Sequence, residues 1–308
     1  MFRIRLMTPD DADAVRMLDV QAFLPYVRKT GRGNDLPPRT RECILACQAL
    51  NPQGCFAAED GGDIVGYVFS RMWGTVGWIG VFGVHPERQR GGVGARLLAR
   101  ASESLQAAGC GIIGLETMPD WPANVGFYAR HGFRPGPSVV TLTAEVHKPK
   151  TCPPYALMSQ LNEHAALRAV SEISAAAMPG LDYAPEAQNA AEFRWGDTLL
   201  VGWPEPWAAV IVRLIPKRED DDEPVADAVV IVGAPDTRTR LSEVLGALEA
   251  FAAERGLRWL IARVNAADWQ TLKELLDYGF SVNHIALRMM LRGDADCPPG
   301  LDMSRWAM

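Results

Sequence analysis

A short glycine-rich segment carries the clearest chemical signal in this sequence. It reads Gln89-Arg90-Gly91-Gly92-Val93-Gly94-Ala95, after an apolar stretch and before an amphipathic one. Glycines leave backbone N–H groups unshielded, and such groups at the start of a helix form an anion site. The segment therefore predicts a diphosphate site, with positive charge added by Arg88, Arg90 and Arg96.

Two common diphosphate sites do not fit this segment. A P-loop requires Gly-Lys-Ser/Thr, which is absent here. A dinucleotide site requires GxGxxG after the first strand of a βαβ unit, whereas the preceding strands are predicted to form an antiparallel meander. The plain alternative is an ordinary glycine-rich turn between a strand and a helix.

The segment resembles the Q/R-x-x-G-x-G/A pyrophosphate loop of the GNAT superfamily of N-acetyltransferases, and the resemblance extends over about residues 2–146. It implies acetyl-CoA as co-substrate, bound along Gln89 to Ala95, and no metal. It also implies transfer of the acetyl group to a primary amine by direct attack in a ternary complex.

Other parts of the same half resemble the family as well. Phe82-Gly83-Val84 corresponds to the strand whose backbone binds the pantetheine arm, and Ile112 to Thr117 to the parallel strand that splays away from it. The stretch from Asn124 through Tyr128 to Phe133 resembles the N…Y…GF ending. The spacing from Asn124 to Tyr128 is four residues here, whereas many members have seven.

Attack of an amine on a thioester needs a neutral nucleophile, a polarised carbonyl and a proton for the departing thiolate. Backbone N–H groups near Phe82 to Val84 are expected to stabilise the carbonyl oxygen. Tyr128 is expected to be the general acid, since a phenol with a pKa of about 10 is protonated at neutral pH; packing under the cofactor is the alternative. Glu116 is the candidate base, or else a solvated residue at a strand end, and His85 and His131 lie nearby in sequence.

Hydrophobic periodicity predicts the elements that position these residues. In the first half we expect a strand over 2–7, a helix that begins at Thr8, a second helix over about 38–50 and a meander over 55–59, 64–73 and 76–84. The fold class is α/β with a mixed, mostly antiparallel sheet flanked by helices.

The chain also matches itself when it is shifted by 147 residues, which places Gly132-Phe133 on Gly279-Phe280. We therefore expect a catalytic domain over 1–147, a second GNAT-like domain over 155–292 and an irregular tail over 293–308. The second copy has lost the ligand features. Gly92 corresponds to Thr239, Gln89 to Asp236 and Tyr128 to Leu275, so this copy is expected to pack on the first domain and shape its acceptor pocket.

Composition bounds the remaining possibilities. Residues 1–150 hold 17 basic and 14 acidic residues, a net charge of +3, and the rest hold 14 and 23, a net charge of −9. Neither half carries a basic stretch typical of nucleic-acid binding.

The six cysteines have no metal-ligand spacing, and Cys43 and Cys47 are expected to lie in the apolar stripe of a helix that faces the core. The charge run 217–224 is expected to be a solvated hairpin tip, and a landing site for a cationic acceptor is the alternative.

No signal peptide or membrane segment is evident, so we expect a soluble cytoplasmic protein, either a monomer with an internal pseudo-dimer or a homodimer. Its partners are expected to be acetyl-CoA and a small-molecule or peptide amine. An acyl-CoA sensor or scaffold without turnover, and a protein that only mediates interactions, are the rival functions.

Overall fold

Short strands alternate with amphipathic helices in both halves of the chain. The computed structural model describes residues 2–147, 149, 152–219, 223–294 and 298–304. The strands of the first half are β1 Arg3–Leu6, β2 Phe56–Asp60, β3 Asp63–Trp73, β4 Val76–Val84, β5 Ile112–Thr117 and β6 Arg134–Glu145. Its helices are α1 Ala12–Lys29, α2 Arg41–Ala49, α3 Val93–Ala107 and α4 Pro122–Arg130.

The second half repeats this order. Its strands are β7 Tyr155–Leu157, β8 Gly196–Val201, β9 Ala208–Arg213, β10 Val225–Gly233, β11 Trp259–Asn265, β12 Ser281–Arg292 and β13 Leu301–Ser304. Its helices are α5 Glu163–Ala177, α6 Ala184–Glu192, α7 Leu241–Glu254 and α8 Trp269–Tyr278. Residues 134–145 shifted by 147 become 281–292, so β6 and β12 coincide under the shift that the sequence shows.

All strands join one continuous sheet. Its order is β1-β2-β3-β4-β5-β12-β6-β11-β10-β9-β8-β7, with β13 paired to β10. Among the strands of the described residues, only β4 with β5 and β10 with β11 are parallel pairs, and every other pair is antiparallel. The predicted α/β fold with a mixed, mostly antiparallel sheet flanked by helices is confirmed, but the two halves share one sheet instead of having one each.

The two halves exchange their last strands in the middle of this sheet. Strand β12 of the second half lies between β5 and β6 of the first, and β6 lies between β12 and β11 of the second. Arg288 on β12 is opposite Glu116 on β5, and Ile285 on β12 is opposite Val140 on β6. Residue 147 is therefore a boundary in the chain but not in the sheet, because backbone hydrogen bonds join the halves on both sides of the centre.

The predicted apolar helix faces lie in the core. Leu97, Leu98, Ala101 and Leu105 of α3 are at most 1 % exposed. Cys43 and Cys47 are buried free thiols on α2, as their helical spacing predicts. None of the helices in the described parts of the chain is long and apolar enough to cross a membrane.

The prediction of an irregular tail is wrong for its described end. Residues Leu301 to Ser304 form β13, which pairs antiparallel with Val230 to Gly233 of β10. Strand β11 pairs with β10 only over Val225 to Asp227. Beyond that point the edge of β10 would be left without partners, and β13 supplies its hydrogen bonds.

The start of the charge run 217–224 is also not a solvated tip. Arg39 and Arg218 form a β-bridge, and the Thr40 N–H donates to the Lys217 carbonyl at 2.9 Å. The buried Asp19 carboxylate accepts from Arg39 at 3.2 Å and Arg218 at 3.1 Å. Residues 217–219 thus fasten the second half to the loop after α1, whereas 220–222 lie outside the described residues.

Candidate active site

Strands β4 and β5 separate at a point set by a bulge. Val76 to Ile79 pair in parallel with Ile112 to Leu115, and the pairing ends there. On the other side of β4, Gly80 and Val81 are opposite one residue of β3, because the register shifts between Val68/Phe82 and Ser70/Ile79. Such a bulge bends a strand and increases its local twist. The second half of β4 therefore has a free edge that faces a cleft.

The glycine-rich segment turns directly into α3. Gly92 has φ +81° and is the residue before the helix, and Arg90 has φ +66°. Glycine adopts positive φ without strain, which allows the chain to reverse here. The first N–H groups of α3 have no acceptor within the helix and point out of its end. A side chain at Gly94 would also place its Cβ 3.3 Å from the Phe82 ring.

A cavity of about 690 Å³ runs from this helix end along β4. The sequence-predicted residues that line it are Phe82, Gly83, Val84, Gln89, Arg90, Gly92, Gly94, Ala95, Asn124 and Tyr128. Gly91 and Val93 do not line it, and Val93 is buried in the core instead. The resemblance therefore selected a set of residues that the fold brings to one cleft.

The positive charge in this cavity comes from Arg90 and Arg130, and none of the described residues that line it is acidic. Arg88 and Arg96, which were also expected to add positive charge, do not line this cavity. Arg88 pairs with Asp60 at 3.3 Å, and the Arg96 guanidinium lies 4.6 Å from the Phe2 ring centre. Sequence analysis missed Arg130, which lies on α4 three residues after Phe127 and so on the same helix face as that lining residue. Two arginines with no carboxylate among the described lining residues suit an anionic ligand.

A second cavity of about 760 Å³ lies beyond the first. The two share Phe23, Phe82, Met118, Asn124 and Tyr128 as lining residues. Of the 26 described residues that line the second cavity, 12 belong to the second half of the chain. A ligand that enters the second cavity would contact both halves and would approach the first cavity at Tyr128.

Tyr128 lies at the junction of the two cavities. It is 8 % exposed, and its ring contacts Phe82, Phe127 and Phe133 at centroid distances of 5.3–6.4 Å. Burial among these rings raises the pKa of Tyr128 well above its usual value. The phenol is therefore protonated at neutral pH and can donate a proton.

Glu116 lines the second cavity but is not a free carboxylate. Arg288 of β12 donates to its Oε1 at 3.1 Å, and both side chains are 6 % exposed. The carboxylate is therefore held in a buried ion pair that links β5 to β12. His85 and His131 line neither cavity; the His85 ring accepts the Glu87 N–H, and the His131 ring packs on Phe127.

The corresponding region of the second half is filled by protein. Strand β13 occupies the position along β10 where the cleft borders β4 in the first half. Leu275, which corresponds to Tyr128, is fully buried. Arg238 and Arg240 pair with Asp268 at 3.2 Å and Glu243 at 2.9 Å. No group of His, Cys, Asp and Glu within the described ranges of either half is placed to hold a metal ion.

Comparisons with known proteins agree with this geometry. Residues 21–133 match the profile of the Acetyltransferase (GNAT) family. A mycothiol acetyltransferase of Streptomyces bingchenggensis is 36% identical over 86 residues, which are 27% of this chain and 28% of that protein. The chain thus spans less than a third of this curated relative in the match.

Solved structures show the same fold over the whole chain. A protein of Pyrococcus horikoshii, assigned as an acetyltransferase, has a TM-score of 0.69 at 18% identity, covering 99% of this chain and 95% of its own. A tandem GNAT protein from the clavulanic acid biosynthesis pathway has a TM-score of 0.59 at 15% identity, covering 96% and 100%. Residues 21–133 are thus identified as a GNAT acetyltransferase domain, and the chain as a whole shares its fold with a tandem GNAT protein.

Proposed function

We propose that the first half of this protein binds acetyl-CoA and transfers its acetyl group to a primary amine held between the two halves. The observation that carries this proposal is the junction of the two cavities at Tyr128, one bordered by the glycine-rich helix start and the other by both halves. Two substrates that enter from opposite sides would meet there.

The diphosphate of acetyl-CoA is held by the N–H groups of Gly92 to Ala95 together with Arg90 and Arg130. The free edge of β4 beyond the bulge binds the pantetheine arm through Phe82 to Val84. Backbone N–H groups on this edge also stabilise the oxyanion that forms when the thioester is attacked.

Tyr128 supplies the proton for the departing thiolate. Tyr128 lines both cavities beside Phe82, and its phenol is protonated at neutral pH. Asn124, one helical turn earlier on α4, lines both cavities and orients the substrates. Bringing amine and thioester together in this way supplies a large part of the rate enhancement.

The test has two parts. Calorimetry with acetyl-CoA is expected to give one site per chain, because β13 fills the equivalent cleft of the second half. Assays of CoA thiol release with a panel of amino acids, polyamines, aminoglycosides and peptides are then expected to identify an acceptor. Binding without turnover of any amine would favour the acyl-CoA sensor, and absence of binding would favour a protein that only mediates interactions.

A further inference from the structure

Strand β12 brings residues of the second half into the cavity of about 760 Å³ in which the amine is proposed to bind, the acceptor cavity. Because β12 lies between β5 and β6, its residues Asn283, His284 and Ala286 line that cavity. Ala286 lies two positions from Arg288, which is opposite Glu116, and His284 lies two positions further along the same strand. Alternate residues of a strand share a face, so His284 is on the same side of the sheet as the Glu116–Arg288 pair.

The proposed reaction needs a base, because a primary amine is protonated at neutral pH and cannot attack a thioester in that form. Among the residues that the structure describes, the carboxylates that line the acceptor cavity already bind cations. Glu116 pairs with Arg288 at 3.1 Å, and Asp227 pairs with Lys217 at 3.5 Å and also binds Arg263. Glu223, at the rim, pairs with Arg258 at 3.7 Å and its side chain is 67% exposed.

His284 differs from these groups in its surroundings. It is half-buried, and the residue opposite it on β6 is Thr141. The charged groups near it are Arg32 after α1, Asp120 after β5 and Arg263 on β11. Burial lowers the pKa of His284, and Arg32 lowers it further, whereas Asp120 raises it and Arg263 lowers it slightly. The imidazole is therefore neutral at physiological pH and has a lone pair that can accept a proton.

We propose that His284 is the general base of the acetyl transfer, supplied to the first half's active site by the exchanged strand of the second half. This inference rests on the proposed function. An imidazole nitrogen of His284 takes one proton from the substrate ammonium group, directly or through a water. The neutral amine nitrogen then forms a bond to the thioester carbonyl carbon.

The remaining steps balance the protons. When the C–S bond breaks, the sulfur takes the Tyr128 hydroxyl proton, and the new amide nitrogen returns its surplus proton to the Tyr128 phenolate. The His284 imidazolium releases its proton to water. The sum is one ammonium and one thioester converted to one amide, one thiol and one proton, with no oxidant or metal required.

The test compares His284→Gln with wild-type enzyme in the full chain, using an amine that the panel has identified as an acceptor. The matched control is His164→Gln, an exposed histidine on α5 that lines neither cavity. Loss of a general base is expected to lower kcat by about 10²–10⁴-fold. Acetyl-CoA affinity, measured by calorimetry, is expected to be unchanged.

The pH profile separates a base from a residue that only packs. For the wild type, kcat/KM should fall as the pH drops below the pKa of His284, because protonation of the imidazole removes the base. Nuclear magnetic resonance should report the same pKa for the His284 ring. This limb should vanish in His284→Gln and persist in His164→Gln. The difference between His284→Gln and wild type should shrink for an amine that is already neutral at the assay pH.

A wild-type pH profile in His284→Gln would overturn the assignment of the base. So would a fall in rate that is equal for protonated and neutral amines and leaves the acidic limb in place. Failure of the proposed function looks different, because the wild-type enzyme itself would then release no thiol with any amine.

Discussion

Gly92 shows how one residue serves both the backbone and the ligand. Its φ of +81° starts α3, and a side chain built there would point into open space rather than into protein. Asn and Asp tolerate this conformation better than other residues and have nearly the same shape. Gly92 can therefore be replaced by two side chains that differ chiefly in charge.

We predict that Gly92→Asp weakens acetyl-CoA binding by at least about tenfold more than Gly92→Asn, because only aspartate places a negative charge beside the diphosphate at a helix start. Calorimetry at low and high salt measures both variants. The gap should narrow as ionic strength rises, since screening weakens the repulsion. Equal affinities at low salt would show that the diphosphate lies elsewhere.

For Tyr128 we predict that replacement by phenylalanine lowers kcat by about 10²–10⁴-fold with acetyl-CoA affinity nearly unchanged. The ring keeps its contacts with Phe82 and Phe133, and only the proton donor is lost. Fixed-time assays of thiol release with saturating acetyl-CoA measure the effect. Phe133→Leu is the control, because it changes the packing of the ring but keeps the hydroxyl. A wild-type rate in Tyr128→Phe would mean that the thiolate leaves without this acid.

At the scale of elements, the equivalent parallel pairs β4–β5 and β10–β11 both separate along their length, but only one of the two gaps stays open. The cleft at β4 stays open, whereas β13 closes the one at β10. Leu301 and Met303 of β13 are at most 1 % exposed, and Asp302 accepts hydrogen bonds from Tyr183 at 2.8 Å and Ser304 at 2.6 Å. The closing strand is thus an integral part of the core of the second half.

Ending the chain at Gly293 is predicted to destabilise the protein without creating a second acetyl-CoA site. Removal of a buried leucine or methionine costs about 2–5 kcal/mol where the cavity does not collapse. The loop that corresponds to Gln89–Gly94 still lacks glycines in the shortened chain. Denaturant titration should show the loss of stability, and calorimetry should still give one site. A second site per chain would show that β13 alone blocks binding.

At the scale of the whole molecule, the exchange of β6 and β12 makes the halves interdependent. Strands β5 and β6 of the first half do not pair with each other, because β12 lies between them. Met289 and Met290 of β12 are at most 3 % exposed and pack in the cores on the two sides of the sheet. The acceptor cavity and the stability of the first half therefore depend on the same strand.

We predict that residues 1–147 expressed alone do not fold to a stable monomer, since both edges left by β12 would be unpaired. Circular dichroism and nuclear magnetic resonance of the fragment measure this. Co-expression of 1–147 with 152–308 should restore a complex that binds acetyl-CoA. A monomeric fragment that unfolds cooperatively would show that the first half does not need the exchanged strand in order to fold.

The sequence by itself determined most elements of the first half and ten of the residues that line the proposed cofactor cavity. Glycines 92 and 94, the apolar spacing of α3 and the order of strands are local features, and local sterics and periodicity are enough to predict them. The repeat of 147 residues likewise predicted the tandem halves, because β6 and β12 occupy equivalent positions in it.

Only the tertiary structure decided which partner each side chain meets. Glu116 reads as a free base until β12 brings Arg288 against it, and His284 carries no signal until the same strand places it in the acceptor cavity. The tail reads as irregular because four residues carry too weak a pattern to predict a strand, and β13 forms where β10 lacks hydrogen-bond partners. Pairings between residues more than 100 positions apart depend on how the whole sheet assembles, which no local pattern encodes.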